Sequence, residues 1–214
     1  MGTVYLASKS PRRRAILEGL GLSVRVIASN AHTLRAFEGD ETVNPGEAPE
    51  DYVKRTARNK FLEGLAVRDA AGLAADLGPV LAADTVVSIG GDILGKPRDE
   101  SEACAFLRRL SGRTHEVRTA VVAGYSQERC ESALSVSEVT FRPMSSEEIL
   151  AYVRTGEPYD KAGGYGIQGL AGIYISRIAG NYTGIMGLPV FETAALLSRM
   201  GVRIIGRSPS AGAD

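Results

Sequence analysis

Residues Ser8-Lys9-Ser10-Pro11-Arg12-Arg13-Arg14 gather two serine hydroxyls and three arginines around the start of a helix. Ser10 suits an N-cap, and Pro11 suits the first helical position, where its missing N–H is not needed. The arginines then fall in the first turn, beside the positive end of the helix dipole, where each cation is disfavoured by about 0.3–1 kcal/mol. Free amide N–H groups, hydroxyls and clustered guanidinium groups describe a site for a multiply charged anion, most simply phosphate. The three arginines are not equivalent. Arg14 lies one turn before Glu18 and pairs with it on the wet face. Arg12 and Arg13 lie one turn before the core residues Ile16 and Leu17, so they point over the sheet edge toward a cleft. A solvated basic turn is the plainer alternative; the strand–turn–helix context favours phosphate.

Three further positions carry chemistry. Asp84 sits inside the apolar run Val80-Leu81-Ala82-Ala83-Asp84-Thr85-Val86-Val87, where an unpaired carboxylate would cost several kcal/mol. It is either paired structurally or stands at a functional strand end with Thr85 behind it. Lys60 leans toward the apolar face of its helix, where a lysine either snorkels or meets an anion; position alone leaves both open. The turn Gly95-Lys96-Pro97 presents one lysine. Finally, residues 156–169 hold five glycines together with Glu157, Asp160, Lys161 and Gln168. Such glycines let a backbone approach a ligand closely, and the Gln168 amide offers both a donor and an acceptor to a base edge.

The elements that must hold these residues read as α/β with a mixed sheet. Strands are expected at Val4–Ala7, Val24–Ala28, Val80–Ile89, Ile93–Leu94, His115–Tyr125, Ser132–Phe141 and Ile173–Ile178, with weaker ones around Ile185 and at Val202–Ile205. Helices are expected from Ser10 to Gly21, over 50–65, from Asp99 to Gly112, from Ser145 to Gly156, and from Pro189 onward. The polar segment 29–49 is long for a structureless loop and reads as a functional loop or lid. Residues 1–207 form one domain and 208–214 a disordered tail.

The 214 residues carry 25 basic and 25 acidic side chains, and aromatics make up 6%. Zero net charge and sparse aromatics argue against a nucleic-acid partner. No apolar run reaches membrane length, and no long apolar segment follows the N-terminus, so a cytoplasmic protein without a membrane partner is expected. Cys104 and Cys130 have neither disulfide-framework nor metal-ligand spacing.

The chain resembles the Maf family of septum-formation-like nucleotide pyrophosphatases over residues 4–205. The matching blocks are Leu6-Ala7-Ser8-Lys9-Ser10-Pro11-Arg12-Arg13, Ala83-Asp84-Thr85-Val86-Val87, Gly95-Lys96-Pro97, Ser111-Gly112-Arg113-Thr114-His115-Glu116-Val117, Asp160-Lys161-Ala162-Gly163 running on to Gln168-Gly169, and Gly187-Leu188-Pro189. The resemblance implies a Maf/ITPase-like fold, a mixed twisted sheet flanked by helices with two lobes around a nucleotide-binding cleft. It implies hydrolysis of a nucleoside triphosphate to the monophosphate and pyrophosphate with a divalent cation, Mg²⁺ or Mn²⁺, and leaves room for a homodimer. By motif, Asp84 is the general base, and Ser8, Arg13, Lys60 and Lys96 are phosphate ligands. Arg12, Thr85 and Gln168 resemble the branch that acts on dTTP and UTP. The family's acidic pair is displaced here: its usual offset holds His32-Thr33, and counting back from Tyr52-Val53 reaches Asp40-Glu41. This implies an insertion in the loop, with Glu41 as a catalytic acid and metal ligand alongside Asp84. The alternatives are a nucleotide-binding regulator of septum formation without catalysis, and a pyrophosphatase of other base preference such as 7-methyl-GTP.

Overall fold

The structure, a computed structural model, describes residues 2–27 and 42–204. Its framework is a mixed sheet of seven strands: β1 (Thr3–Leu6), β2 (Ser23–Val26), β3 (Val80–Ile89), β4 (Asp92–Leu94), β5 (Thr114–Gly124), β6 (Cys130–Phe141) and β7 (Ile175–Ala179). The order is β2-β1-β3-β5-β6-β7, with β4 paired to β3. The β2-β1-β3 side is parallel, and β3-β5-β6-β7 is antiparallel. Helices α1 (Pro11–Gly19), α2 (Pro49–Ala70), α3 (Glu100–Leu110), α4 (Ser146–Val153), α5 (Tyr182–Ile185) and α6 (Val190–Arg199) cover its faces.

The near-continuous apolar run of β3 follows from cover on both faces. Alternate residues Val80, Ala82 and Val86 pack with Val53, Ala57 and Phe61 of α2. Leu81 and Ala83 pack on the other face with Leu17 of α1 and Leu196 and Leu197 of α6. Farther along, Val87 joins Leu107 and Leu110 of α3 and Ile149 and Val153 of α4. Helix starts follow the expected chemistry. The Ser10 side chain accepts from Arg13 N, the Asp99 side chain from Glu102 N, and Ser145 with Glu148 closes a full capping box.

One topological feature creates the site. β1 pairs with β3 at Tyr5↔Val80 and Leu6↔Leu81, and β4 pairs with it over Val87–Ile89. Among the described residues, positions 82–86 therefore have no strand neighbour on that edge. The chain leaves β1 there and turns into α1, so a crevice opens at the carboxyl end of a parallel strand.

Several boundaries differ from expectation. α2 runs on to Ala70. The strand expected from Ile173 is preceded by a 3-10 turn at Leu170–Tyr174 and starts at Ile175. Around Ile185 the chain is helical, because the Asn181 side-chain Oδ1 accepts from Gly184 N as an N-cap and starts the short α5. No strand forms over 202–204, since Val202 N donates to Leu197 O and so closes the end of α6. Ile205, the tail 208–214, and the loop residues His32, Asp40 and Glu41 lie outside the described residues.

Gly64 lets α2 lie against the end of β1. A Cβ there would come 2.5 Å from the Ala7 Cβ and 3.0 Å from Val80 Cγ1, and this approach carries Lys60, one turn earlier, to the crevice. Gly64→Val is expected to destabilise the protein by about 1–3 kcal/mol. Chemical denaturation checks this, and an unchanged midpoint would contradict the close approach.

Candidate active site

The crevice is a cleft of about 700 Å³, within the range of small-molecule sites. Six cationic side chains line it, Lys9, Arg12, Arg13, Lys60, Lys96 and Lys161, against the carboxylates Asp84, Glu157 and Asp160. A chain of zero net charge thus concentrates positive charge in one concavity, which draws in anions.

Its floor is Asp84. The residue is 7% exposed, and α2 holds both carboxylate oxygens. Lys60 Nζ lies 2.6 Å from Oδ1, and Thr56 Oγ1 lies 2.7 Å from Oδ2. Thr56 and Lys60 stand one helical turn apart, so one face of α2 presents both groups to β3. The Thr56 hydroxyl is also 2.9 Å from Tyr52 O. Its single proton goes to the nearer, charged acceptor. The lysine that position alone left undecided is therefore the counter-ion of the buried acid, at the edge of the cleft.

The turn after β1 forms one wall. The Ser8 hydroxyl is buried and accepts from Ser10 N at 3.2 Å and from Arg13 Nη1 at 3.2 Å. Arg13 also donates through Nε to Gly187 O at 2.8 Å and through Nη2 to Thr85 Oγ1 at 3.2 Å. One guanidinium thus ties α1, β3 and the turn after α5 together. Arg14 pairs with Glu18 at 2.7 Å on the exposed side, as its spacing requires.

The opposite wall is the glycine-rich segment, folded as 3-10 turns at Glu157–Asp160, Ala162–Gly164 and Leu170–Tyr174. Glu157 braces it, accepting from Tyr152 Oη at 2.9 Å and Leu170 N at 2.8 Å. Gly163 has φ +71°, and its N–H donates to Gly95 O at 3.0 Å, docking the segment beside Lys96. A Cβ at Gly163 would meet Val87 Cγ1 at 2.8 Å. Arg12 reaches across from α1, with Nη1 3.8 Å from Asp160 Oδ2.

The eight described residues given a phosphate, catalytic or base-reading role from the sequence, Ser8, Arg12, Arg13, Lys60, Asp84, Thr85, Lys96 and Gln168, line this cleft. Glu41 is outside the described residues. Sequence reasoning missed Thr56, whose i−4 relation to Lys60 was the available signal, and Thr119, whose Oγ1 lies 2.9 Å from Thr85 Oγ1. It also missed the pair behind the glycine-rich wall, where His115 Nε2 lies 2.7 Å from Tyr165 Oη.

Among the described residues, no three His, Cys, Asp or Glu side chains converge as a metal site. A hard divalent cation of the Mg²⁺ type takes one or two carboxylates and draws its other oxygens from phosphates and water, so the single acid of the cleft floor, Asp84, is compatible with one.

The cleft and its charge define an α/β protein built to hold an anionic small molecule at the carboxyl end of a parallel strand. The chain belongs to the family described as Maf-like protein, whose pattern matches residues 3–200. It is 48% identical over 200 residues to the dTTP/UTP pyrophosphatase of Dechloromonas aromatica, covering 94% of this chain and 98% of that one. It is 50% identical over 206 residues to the dTTP/UTP pyrophosphatase of Methylobacillus flagellatus, covering 96% of each. The nucleoside triphosphate pyrophosphatase of Haemophilus ducreyi is 49% identical over 202 residues, covering 94% of this chain and 97% of that one. A solved structure, a HAM1 protein from Coxiella burnetii, has a TM-score of 0.40 at 15% identity, covering 66% of this chain and 73% of that one.

Burial holds the His115 imidazole down, from 6.5 to about 4. The unfolded chain takes the proton first, so the stability tied to neutral His115 is full above pH 6.5 and is lost as the pH falls toward 4. The stability gap between wild type and His115→Gln is expected to narrow by up to about 3 kcal/mol between pH 7 and pH 4. Urea unfolding at several pH values measures it; a constant gap would contradict a neutral buried imidazole.

Proposed function

We propose that this protein is a nucleoside triphosphate pyrophosphatase that hydrolyses dTTP and UTP to the monophosphate and pyrophosphate. The observation that carries the reading is the buried, doubly held carboxylate of Asp84 in the floor of a cationic cleft. The high identity to relatives named as pyrophosphatases over nearly their whole length agrees with it.

In this reading a water attacks the α-phosphorus, the bond from that phosphorus to the bridging oxygen breaks, and pyrophosphate leaves. Asp84 takes the proton of the attacking water. A carboxylate has about four lone-pair sites, so the contacts from Lys60 and Thr56 orient it without exhausting it. Ser8, Arg13 and Lys96 bind the triphosphate, and Lys60, beside Asp84, shares its charge with the nearest phosphate. The cationic wall favours the charge that develops on departing pyrophosphate. Asp84 and Glu41 would hold a divalent cation, Mg²⁺ or Mn²⁺, which would supply charge neutralisation at the phosphates. Arg12, Thr85 and Gln168 read the base.

Incubating the purified chain with a nucleotide panel and Mg²⁺ or Mn²⁺ tests this. Pyrophosphate release from dTTP and UTP is expected. Orthophosphate release, turnover confined to 7-methyl-GTP, or binding without turnover would each overturn it, the last in favour of a regulator. Asp84→Asn should lower kcat by about 10²–10⁴ with the fold retained; near-wild-type kcat would remove Asp84 as the base.

A further inference from the structure

We propose that Thr119, buried on β5 and outside the cleft lining, fixes the hydroxyl of Thr85 as a hydrogen-bond acceptor, so that the cleft selects bases presenting an N–H over bases presenting a lone pair. The inference rests on the reading of Thr85 as a base-contacting residue.

The direction of the hydrogen bonds follows from what each group is able to do. Thr119 Oγ1 lies 2.8 Å from Gly184 O, and a carbonyl oxygen only accepts. The single proton of Thr119 is therefore committed to Gly184. Thr85 Oγ1 lies 2.9 Å from Thr119 Oγ1, so the proton in that contact belongs to Thr85. Arg13 Nη2, which only donates, lies 3.2 Å from Thr85 Oγ1 and uses one of its lone pairs. Thr85 has then spent its donor and one acceptor site, and offers the cleft its second lone pair.

Thr119 is 1% exposed, so solvent does not compete for its proton. The groups at the two ends of the chain, Gly184 beyond Thr119 and Arg13 beyond Thr85, are fixed in turn. Gly184 is held by the Asn181 cap at 3.1 Å, and Arg13 is anchored on Gly187 O at 2.8 Å. Gly187, at φ +110°, carries no side chain between Arg13 and Thr85, from each of which a Cβ there would be 3.6 Å away.

An acceptor-only hydroxyl complements the imide N–H of uracil and thymine. Against the ring-nitrogen lone pair of cytosine it sets acceptor against acceptor, and the unpaired contact penalises that base. Replacing Thr119 by an isosteric apolar residue frees the Thr85 proton to swing toward the cleft.

The test is the ratio of kcat/KM for UTP over CTP, measured by pyrophosphate release. Thr119→Val and Thr119→Ala are expected to lower the ratio about tenfold or more, while Thr119→Ser keeps the wild-type ratio. In a Thr85→Val background, Thr119→Val should change the ratio no further. A purely structural role would lower turnover of both nucleotides together, and an unchanged ratio in the folded variants overturns the inference. With two apolar variants, failure of one to fold leaves the other to decide. Absence of pyrophosphate release from UTP by the wild type would instead overturn the functional reading on which the inference stands.

Discussion

The structure depends on one buried acid and the two groups that hold it. Asp84 lies in the middle of the central strand, and its carboxylate is expensive there unless both oxygens are satisfied. The answer comes from a single face of α2, which delivers the Thr56 hydroxyl and the Lys60 ammonium one turn apart. That demand sets how α2 must sit on the sheet, and Gly64 permits the required approach. Removing Lys60 breaks a buried ion pair, at a cost of order 3–5 kcal/mol, and removing Thr56 leaves one carboxylate oxygen without its hydrogen bond, at about 1–3 kcal/mol. In the proposed reaction, stability and chemistry are therefore joined at the same atoms.

Strand alternation then divides the work. Asp84 faces α2, while Thr85 faces α5 and α1 on the other side of the sheet, and both reach the cleft because β3 has no strand neighbour there. One strand supplies the carboxylate from one face and the acceptor hydroxyl from the other. Arg13 ties the second face together through Ser8, Thr85 and Gly187. The adverse placement of a cation at a helix N-terminus is offset by these three acceptors.

Much of this was legible in the sequence, and the reasons for the rest are physical. The Ser10–Pro11 helix start, the acid within an apolar strand and the glycine-rich segment are local signals, and each lies at the cleft. Lys60 was undecided from position, because its partner stands 24 residues away and only the packing of α2 on β3 brings them together. Thr56 and Thr119 look like ordinary residues of a helix and a strand; their roles arise from tertiary neighbours. The strand expected at 202–205 reads as apolar, yet Val202 spends its N–H on closing α6. The segment near Ile185 turns helical because the Asn181 cap outweighs a short apolar run. Glu41, assigned by counting along a displaced motif, lies outside the described residues.

In the proposed reaction, water attacks the α-phosphorus beside Asp84, with pyrophosphate as the leaving group. Turnover of UTP in ¹⁸O-enriched water, read by mass spectrometry of the products, tests this directly. One ¹⁸O atom is expected in UMP and none in pyrophosphate; label in pyrophosphate or in orthophosphate would contradict attack at the α-phosphorus.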